Sequence, residues 1–322
     1  MSMSAGANRP PVLFLLGPTA SGKTGLAVEL VDRLEAEIVS VDSAMVYRGM
    51  DIGTAKPDAD TLARAPHALI DIRDPAQPYS AADFCRDASV EIERIHAAGR
   101  LPLLVGGTSL YFRALEHGLS DMPGRDERLR AALTEQAGVL GWAALHERLA
   151  AVDPASATRI HPNDAQRIQR ALEIHALTGE APSVLHARDR QARNAARLPW
   201  SITRLVVAPA SRHVLHQRIA SRFETMMSQG LLLEVEKLHA RPDLNLQLPA
   251  IRAVGYRQLW QVFNNELTRE QGVERAIYAS RQLAKRQLTW LRSLDNAEWL
   301  VGDEKPDTKQ ALNRLRQSMS RD

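Results

Sequence analysis

Cysteine is almost missing from this chain: 322 residues contain only Cys85. One thiol can close no intramolecular disulfide and build no cysteine-based zinc site, so a reducing, cytoplasmic setting is expected. Long apolar runs are missing too. The run Val12-Leu13-Phe14-Leu15-Leu16 is broken at once by Gly17-Pro18, and the polar stretch from Met1 to Pro10 reads as neither signal peptide nor membrane span. Nor does one sign of charge dominate. The net charge is +3, so a polyanionic partner is permitted rather than required, despite a pI near 9.2. Metal-ligand spacing is also lacking: His161, His175 and His186 stand apart, and His213 with His216 has no identifiable further ligands. No repeat or low-complexity tract appears. What is present, 44% hydrophobic and 25% charged residues, is the composition of a folded, enzyme-sized chain of one large or two moderate domains.

The chain begins as strand, loop, helix. The apolar run Val12–Leu16 leads through a glycine-containing turn into a helical pattern from about Lys23 to Leu34. Further strands are predicted at Glu37–Val41, Leu69–Ile72 and Leu101–Gly107, with a helix over Ala81–Ala97 before the last. Strands alternating with helices predict an α/β fold, a P-loop-containing doubly wound parallel sheet. From Gly124 to Thr178 the pattern is helical without strands, which predicts a helical insertion domain. The segment His186–Leu198 is polar, carries Arg188, Arg190, Arg193 and Arg197, and reads as a mobile basic loop. Arg204–Ala208 returns to strand character, and the remainder is largely helical to Leu294. The predicted divisions are 1–122 for the first part of the core, 123–200 for the insertion and 201–322 for the second part.

Gly17-Pro18-Thr19-Ala20-Ser21-Gly22-Lys23-Thr24 matches the P-loop pattern in full, between a strand and a helix. Glycines let the backbone wrap an anion, the helix start offers unpaired N–H groups, and Lys23 and Thr24 add a cation and a magnesium-binding hydroxyl. Such a loop names a diphosphate rather than a reaction. Kinases and ATPases commonly hold magnesium with an acid after a later strand, yet Val105-Gly106-Gly107-Thr108 ends without one. Asp71 is the alternative acid. Asp42 closes the second strand, at the sheet edge where open α/β folds bind ligands. A carboxylate there takes a proton from a nucleophile, holds magnesium, or serves only as an Asx turn or helix cap.

Near the other end, Arg281, Lys285 and Arg292 recur on one helical face, and no acidic residue interrupts Arg275–Leu294. Trp200, Trp260, Trp290 and Trp299 read as core residues rather than base-stacking platforms, and Cys85 as a small buried residue.

Together, Gly17–Thr24, Asp42-Ser43 with Met50–Pro57, Leu104–Thr108, His161–Asp164 with Arg167 and Arg170, Ala253–Gln258 and Arg281–Gln287 resemble the bacterial tRNA dimethylallyltransferases of the IPP transferase family, in the same order along nearly the whole chain. That resemblance implies transfer of a dimethylallyl group from dimethylallyl diphosphate, bound over the P-loop, to N6 of the adenosine immediately 3′ of the anticodon. It implies that Lys23, Thr24 and Mg2+ hold the diphosphate, that Asp42 is the general base or acceptor for N6, that Thr108 lines the channel and that Arg222 neutralises the leaving group. Contacts to the tRNA anticodon stem-loop fall by resemblance on Asp42, Ser43, Ala44, Met45, Thr108, Arg130, Gln166, Arg167, Ile168, Gln169, Arg170, Gln247, Leu248, Pro249, Ala250, Ile251, Arg252, Arg281 and Lys285. The expected enzyme is a cytoplasmic monomer without membrane association. A prenyltransferase acting on free adenine nucleotides, a P-loop kinase and a non-catalytic RNA-binding protein are the alternatives.

Overall fold

A computed structural model describes residues 9–118, 122–195 and 198–319 of the chain. In order the elements are β1 (Pro11–Leu16), α1 (Lys23–Leu34), β2 (Ala36–Val41), α2 (Ala59–Arg64), β3 (His67–Ala68), α3 (Ala81–Ala97), β4 (Leu101–Gly106), α4 (Ser109–His117), α5 (Glu127–Val152), α6 (Pro154–Arg159), α7 (Ala165–Thr178), α8 (Pro182–Ala195), β5 (Ser201–Ala208), α9 (Arg212–Ser228), α10 (Leu231–His239), α11 (Tyr256–Phe263), α12 (Arg269–Leu291), β6 (Ala297–Val301) and α13 (Thr308–Met319). They divide into two compact units, Met1–Glu116 with Pro199–Asp322, and His117–Leu198. The joints thus lie a few residues before the predicted 122 and 200.

The first unit is built on one six-stranded sheet, order β3-β2-β4-β1-β5-β6, with every pair parallel. Alternation along β1 shows why both faces are covered. Val12, Phe14 and Leu16 enter a core shared with α3, α4 and α9 to α12, while Leu13 and Leu15 enter a second core beneath α1 and α13. Parallel pairing also brings the strands' carboxyl ends to one edge, because Leu16 and Val41 both register with Gly106. The loops after β1, β2 and β4 therefore open together, as doubly wound sheets require. No helix among the described residues is long and apolar enough to cross a membrane.

Two expectations need correction. Leu69–Ile72 is not a strand: β3 is confined to His67–Ala68, and Leu69 and Asp71 turn with φ of 64° and 57°. Asp71 is held there by an N–H bond to the Met45 carbonyl and by an ion pair to Lys56, contacts that outweigh the local β pattern. His186 to Ala195 is helical, as part of α8, rather than a loop, and Arg197 lies outside the described residues. Beyond Leu294 the chain adds a further strand, β6, beside β5.

The second unit packs α5 against α6 and α7 around Leu133, Leu145, Leu149, Ile168 and Leu172. Gly141, at φ 81°, breaks α5 into two helical pieces. Its polar centre is Glu173, whose side chain is 0% exposed and takes paired bonds from Arg130 (2.8 Å each), one from Arg170 (2.6 Å) and one from the Asp126 N–H (2.8 Å). Burial opposes the ionised form, but these donors outweigh it and hold the Glu173 carboxyl down at about 2. Asp153, also buried, caps α6 through Ser156 N–H and α8 through the N–H and hydroxyl of Ser183.

Candidate active site

The P-loop follows β1 without a break. Gly17 is required there, since a Cβ would lie 2.5 Å from the Val207 carbonyl and 2.6 Å from Ser21 Oγ. Gly22 is the N-cap of α1 at φ 88°, with no side chain to bond the first-turn N–H groups. Those amides, at the positive end of a twelve-residue helix, are donors of the kind an anion cradle requires.

A cavity of about 520 Å³ lies at this sheet edge, entirely within the first unit. Thr19, Lys23 and Thr24 line it from the P-loop, Asp42 to Met45 from the end of β2, Thr108 from the end of β4, and Arg222 from α9. The four catalytic positions inferred by resemblance beside the P-loop lysine, namely Thr24, Asp42, Thr108 and Arg222, thus share one space with Lys23. Lys23 Nζ donates to the Pro18 carbonyl at 3.3 Å. Desolvation, reinforced by the Arg222 charge and opposed by Asp42, brings the Lys23 ammonium down to about 8. Burial also pulls Arg222 below its ordinary range, again against Asp42. Two cations pressed together beside one carboxylate leave a site that favours an added anion.

Asp42 does form an Asx-type turn: its Oδ1 accepts the N–H groups of Ala44 (2.8 Å) and Met45 (3.2 Å). Both bonds fall on Oδ1, so Oδ2 has no hydrogen-bond partner among the described residues. The turn fixes the carboxylate without exhausting it. Thr108 Oγ1 accepts the Ser43 N–H at 3.3 Å, tying the β4 loop to the same turn. Asp71 is absent from the cavity wall and is engaged with Lys56, whose side chain is 5% exposed and also bonds Asp51 and the Tyr47 carbonyl (2.6 Å each). The alternative acid for a kinase-type magnesium site is therefore committed elsewhere. Among the described residues no three His, Cys, Asp or Glu groups gather to hold a metal unaided. The Thr24 hydroxyl and Asp42 carboxylate in the cavity do suit magnesium, which takes few protein oxygens and completes its shell from phosphates and water.

Sequence reasoning gave no role to several residues that build the cavity. Glu234, on α10, accepts the N–H groups of Asp51 (2.9 Å), Ile52 (2.8 Å) and Gly53 (3.1 Å) and the Tyr256 hydroxyl. Gly53, Thr54, Ala55 and Tyr256 are cavity walls, so this carboxylate shapes them. Gln287, on α12, bonds Thr19 and Gly107. Phe223, Met226, Val254 and Leu283 add an apolar lining suited to a short hydrocarbon.

The positions proposed for RNA contact separate into distinct environments. Ser43, Ala44, Met45, Pro249 and Arg252 line the cavity. Gln247 and Arg252 border a second depression, of about 380 Å³, with Leu246, Arg257 and Gln261. Ala250 and Ile251 are buried in the main core, Leu248 packs against it, and Ile168 is buried in the helical unit, so the side chains of Ala250, Ile251 and Ile168 serve packing. Arg130 and Arg170 are the partners of Glu173, and Gln169 bonds the Arg130 carbonyl and Thr134. Gln166 lies in the first turn of the same helix, α7, and Arg167 is exposed beside Asp164 (3.1 Å). On α12, Lys285 is exposed, as is Arg292 at its C-cap, whereas Arg281 is partly buried with its Nε unpaired. The four tryptophans pack into the core, and burial pushes the Cys85 thiol up to about 11.

Fold and cavity define a P-loop class α/β protein whose anion cradle faces a carboxylate and an apolar lining in one space. The IPP transferase family matches residues 45–294. The chain is 58% identical over 299 residues to a tRNA dimethylallyltransferase of Alkalilimnicola ehrlichii, covering 92% of this chain and 93% of that one. It is 59% identical over 291 residues to that of Thioalkalivibrio sulfidiphilus, covering 90% of each. Among solved structures, it resembles a tRNA isopentenylpyrophosphate transferase from Bacillus halodurans (TM-score 0.69, 36% identity, 97% and 99% of the chains). It also resembles a eukaryotic dimethylallyltransferase acting on tRNA (0.76, 25%, 96% and 77%). The chain belongs to the IPP transferase family.

Proposed function

We propose that this protein transfers a dimethylallyl group from dimethylallyl diphosphate to N6 of the adenosine immediately 3′ of the anticodon in tRNA, releasing diphosphate. The observation that carries it is the convergence of Lys23, Arg222 and Asp42 on one cavity with an apolar lining, in a chain of this family.

The exocyclic amine is a weak nucleophile, and the allylic carbon becomes cationic as diphosphate departs, so stabilising the leaving group is the main requirement. The uncapped amides of α1 with Lys23 and Arg222 supply that stabilisation. N6 forms a bond to C1 of the dimethylallyl group, the C1–O bond breaks with its electron pair passing to diphosphate, and the N6 proton goes to Asp42. Asp42 is oriented for this by its turn. The Thr24 hydroxyl would hold a magnesium ion, which when bound would supply additional charge neutralisation. To enter the cavity the adenine leaves the anticodon-loop stack, at a cost of a few kcal/mol offset by protein–RNA contacts elsewhere. The exposed cations of α12 supply such contacts, and the reaction belongs in the cytoplasm.

Prenyl transfer to AMP and to unmodified tRNA, measured side by side, tests the acceptor. This account predicts transfer to tRNA and none of comparable rate to AMP. Preference for AMP would convert the protein into a free-nucleotide prenyltransferase.

A further inference from the structure

Gln287 lies 268 positions after Thr19 in sequence, yet its carboxamide joins two loops of the donor site. Its Oε1 accepts the Thr19 N–H at 2.9 Å, and its Nε2 donates to the Gly107 carbonyl at 3.0 Å. Because a backbone N–H only donates and a carbonyl only accepts, both ends of the carboxamide are assigned unambiguously. The fit is close: a Cβ on Gly107 would lie 2.4 Å from Gln287 Nε2 and 3.0 Å from the Gly17 carbonyl. Gly107 thus lets the loops after β1 and β4 meet the same helix.

The next P-loop residue, Ala20, has φ 62°, a left-handed conformation that an L side chain disfavours. Two contacts from α12 surround it. Gln287 fixes Thr19 just before it, and Ala284, one helical turn earlier, packs with Ala20, Leu215 and Ile219. Since Gln287 occupies the Thr19 amide, that amide is not free to serve the anion.

We propose that Gln287 is a positioning residue that holds the P-loop in its diphosphate-binding shape, by bridging Thr19 to Gly107 next to the left-handed Ala20. It touches no reacting atom in this role. The inference rests on the proposal that the P-loop is the donor site, and the test separates the two.

Inorganic diphosphate binding with magnesium is measured by calorimetry for wild type, Gln287→Leu and Lys23→Ala, beside tRNA affinity and thermal unfolding. Gln287→Leu keeps the side chain's approximate size and removes both bonds. The expected result is diphosphate binding weakened about tenfold or more in Gln287→Leu, with tRNA affinity changed less than about twofold. A general loss of fold would depress both affinities together. Wild-type diphosphate binding by Gln287→Leu, with a loss in Lys23→Ala, would overturn the role of Gln287 and keep the donor site. Wild-type binding by both would remove the donor site, and this inference with it. Should Gln287→Leu fail to fold, Gln287→Glu preserves the acceptor for Thr19 but replaces the donor to Gly107. A loss of diphosphate affinity with intact tRNA binding is then expected, and unchanged affinity would contradict the proposal.

Discussion

The Tyr256 hydroxyl donates to Glu234 Oε1 at 2.5 Å, and the same carboxylate receives the N–H groups of Asp51, Ile52 and Gly53. Helix α10 thereby holds, through one side chain, a loop and a tyrosine that wall the cavity. Replacing Glu234 by Ala strands these donors and is expected to lower stability by about 2 kcal/mol and to raise KM for dimethylallyl diphosphate. Tyr256→Phe removes one donor only and is expected to cost about 1 kcal/mol. Urea unfolding beside steady-state kinetics checks both, and equal effects of the two variants would show that the loop does not depend on Glu234.

A pH dependence follows from Lys23. Its ammonium is brought down to about 8, first by desolvation and then by Arg222, so the charge on the free protein is present below pH 8 and lost above it. Affinity for the donor should therefore decline as pH rises through about 8, seen as an alkaline limb in kcat/KM for dimethylallyl diphosphate. Arg222→Gln removes a like charge and should move this limb to higher pH, although overall efficiency falls. An alkaline limb that stays in place in Arg222→Gln would disconnect it from Lys23.

Much of this arrangement was legible in sequence. The apolar run and P-loop located β1 and α1, and the helix over Ala81–Ala97 appears with those bounds because a Ser80–Asp83 capping box starts it. Asp42 was legible from its place after a strand. By contrast, Leu69–Ile72 has strand composition but is turned by Lys56 and Met45, partners supplied only by the fold. The polar segment from His186 gave no apolar period, yet α8 is started by Pro182 at its first position and by the Asp153 cap on Ser183. The roles of Glu234 and Gln287 were not legible for a related reason: each is one polar residue on an amphipathic helix, and the loop groups it bonds lie about 180 or more positions away. Edge strand β6 is five residues long and holds Glu298 between apolar neighbours, too short to stand out by alternation.

Arg130 and Arg170 carry a structural load that any RNA-binding experiment must separate. Glu173→Gln leaves both guanidinium groups around an uncharged amide and is expected to destabilise the helical unit by about 3 kcal/mol at neutral pH. The Glu173 carboxyl is lower folded than unfolded, so its contribution is complete above its ordinary value near 4.5 and is lost as pH falls towards about 2. Thermal unfolding from pH 7 to 2 should show wild type converging on Glu173→Gln. A constant gap over that range would place the stabilisation elsewhere.

For the RNA surface, replacing Arg281 and Lys285 together by Ala should weaken tRNA binding and flatten its salt dependence, with dimethylallyl diphosphate affinity nearly unchanged. If each side chain neutralises one phosphate, log affinity against log salt loses about 0.7 in slope per contact on single-stranded RNA. Arg281 is partly buried, so unfolding is measured alongside. A folded double variant with wild-type binding at every salt concentration would assign the RNA grip to other residues.

The most direct measurement is mass spectrometry of an unmodified tRNA anticodon stem-loop after incubation with the protein, dimethylallyl diphosphate and magnesium. The prediction is a mass gain of one dimethylallyl group, mapping to the adenosine 3′ of the anticodon, and a rate lowered about a hundredfold to ten-thousandfold in Asp42→Ala. RNA recovered without that gain, under conditions where it binds the folded protein, would contradict the proposed transfer.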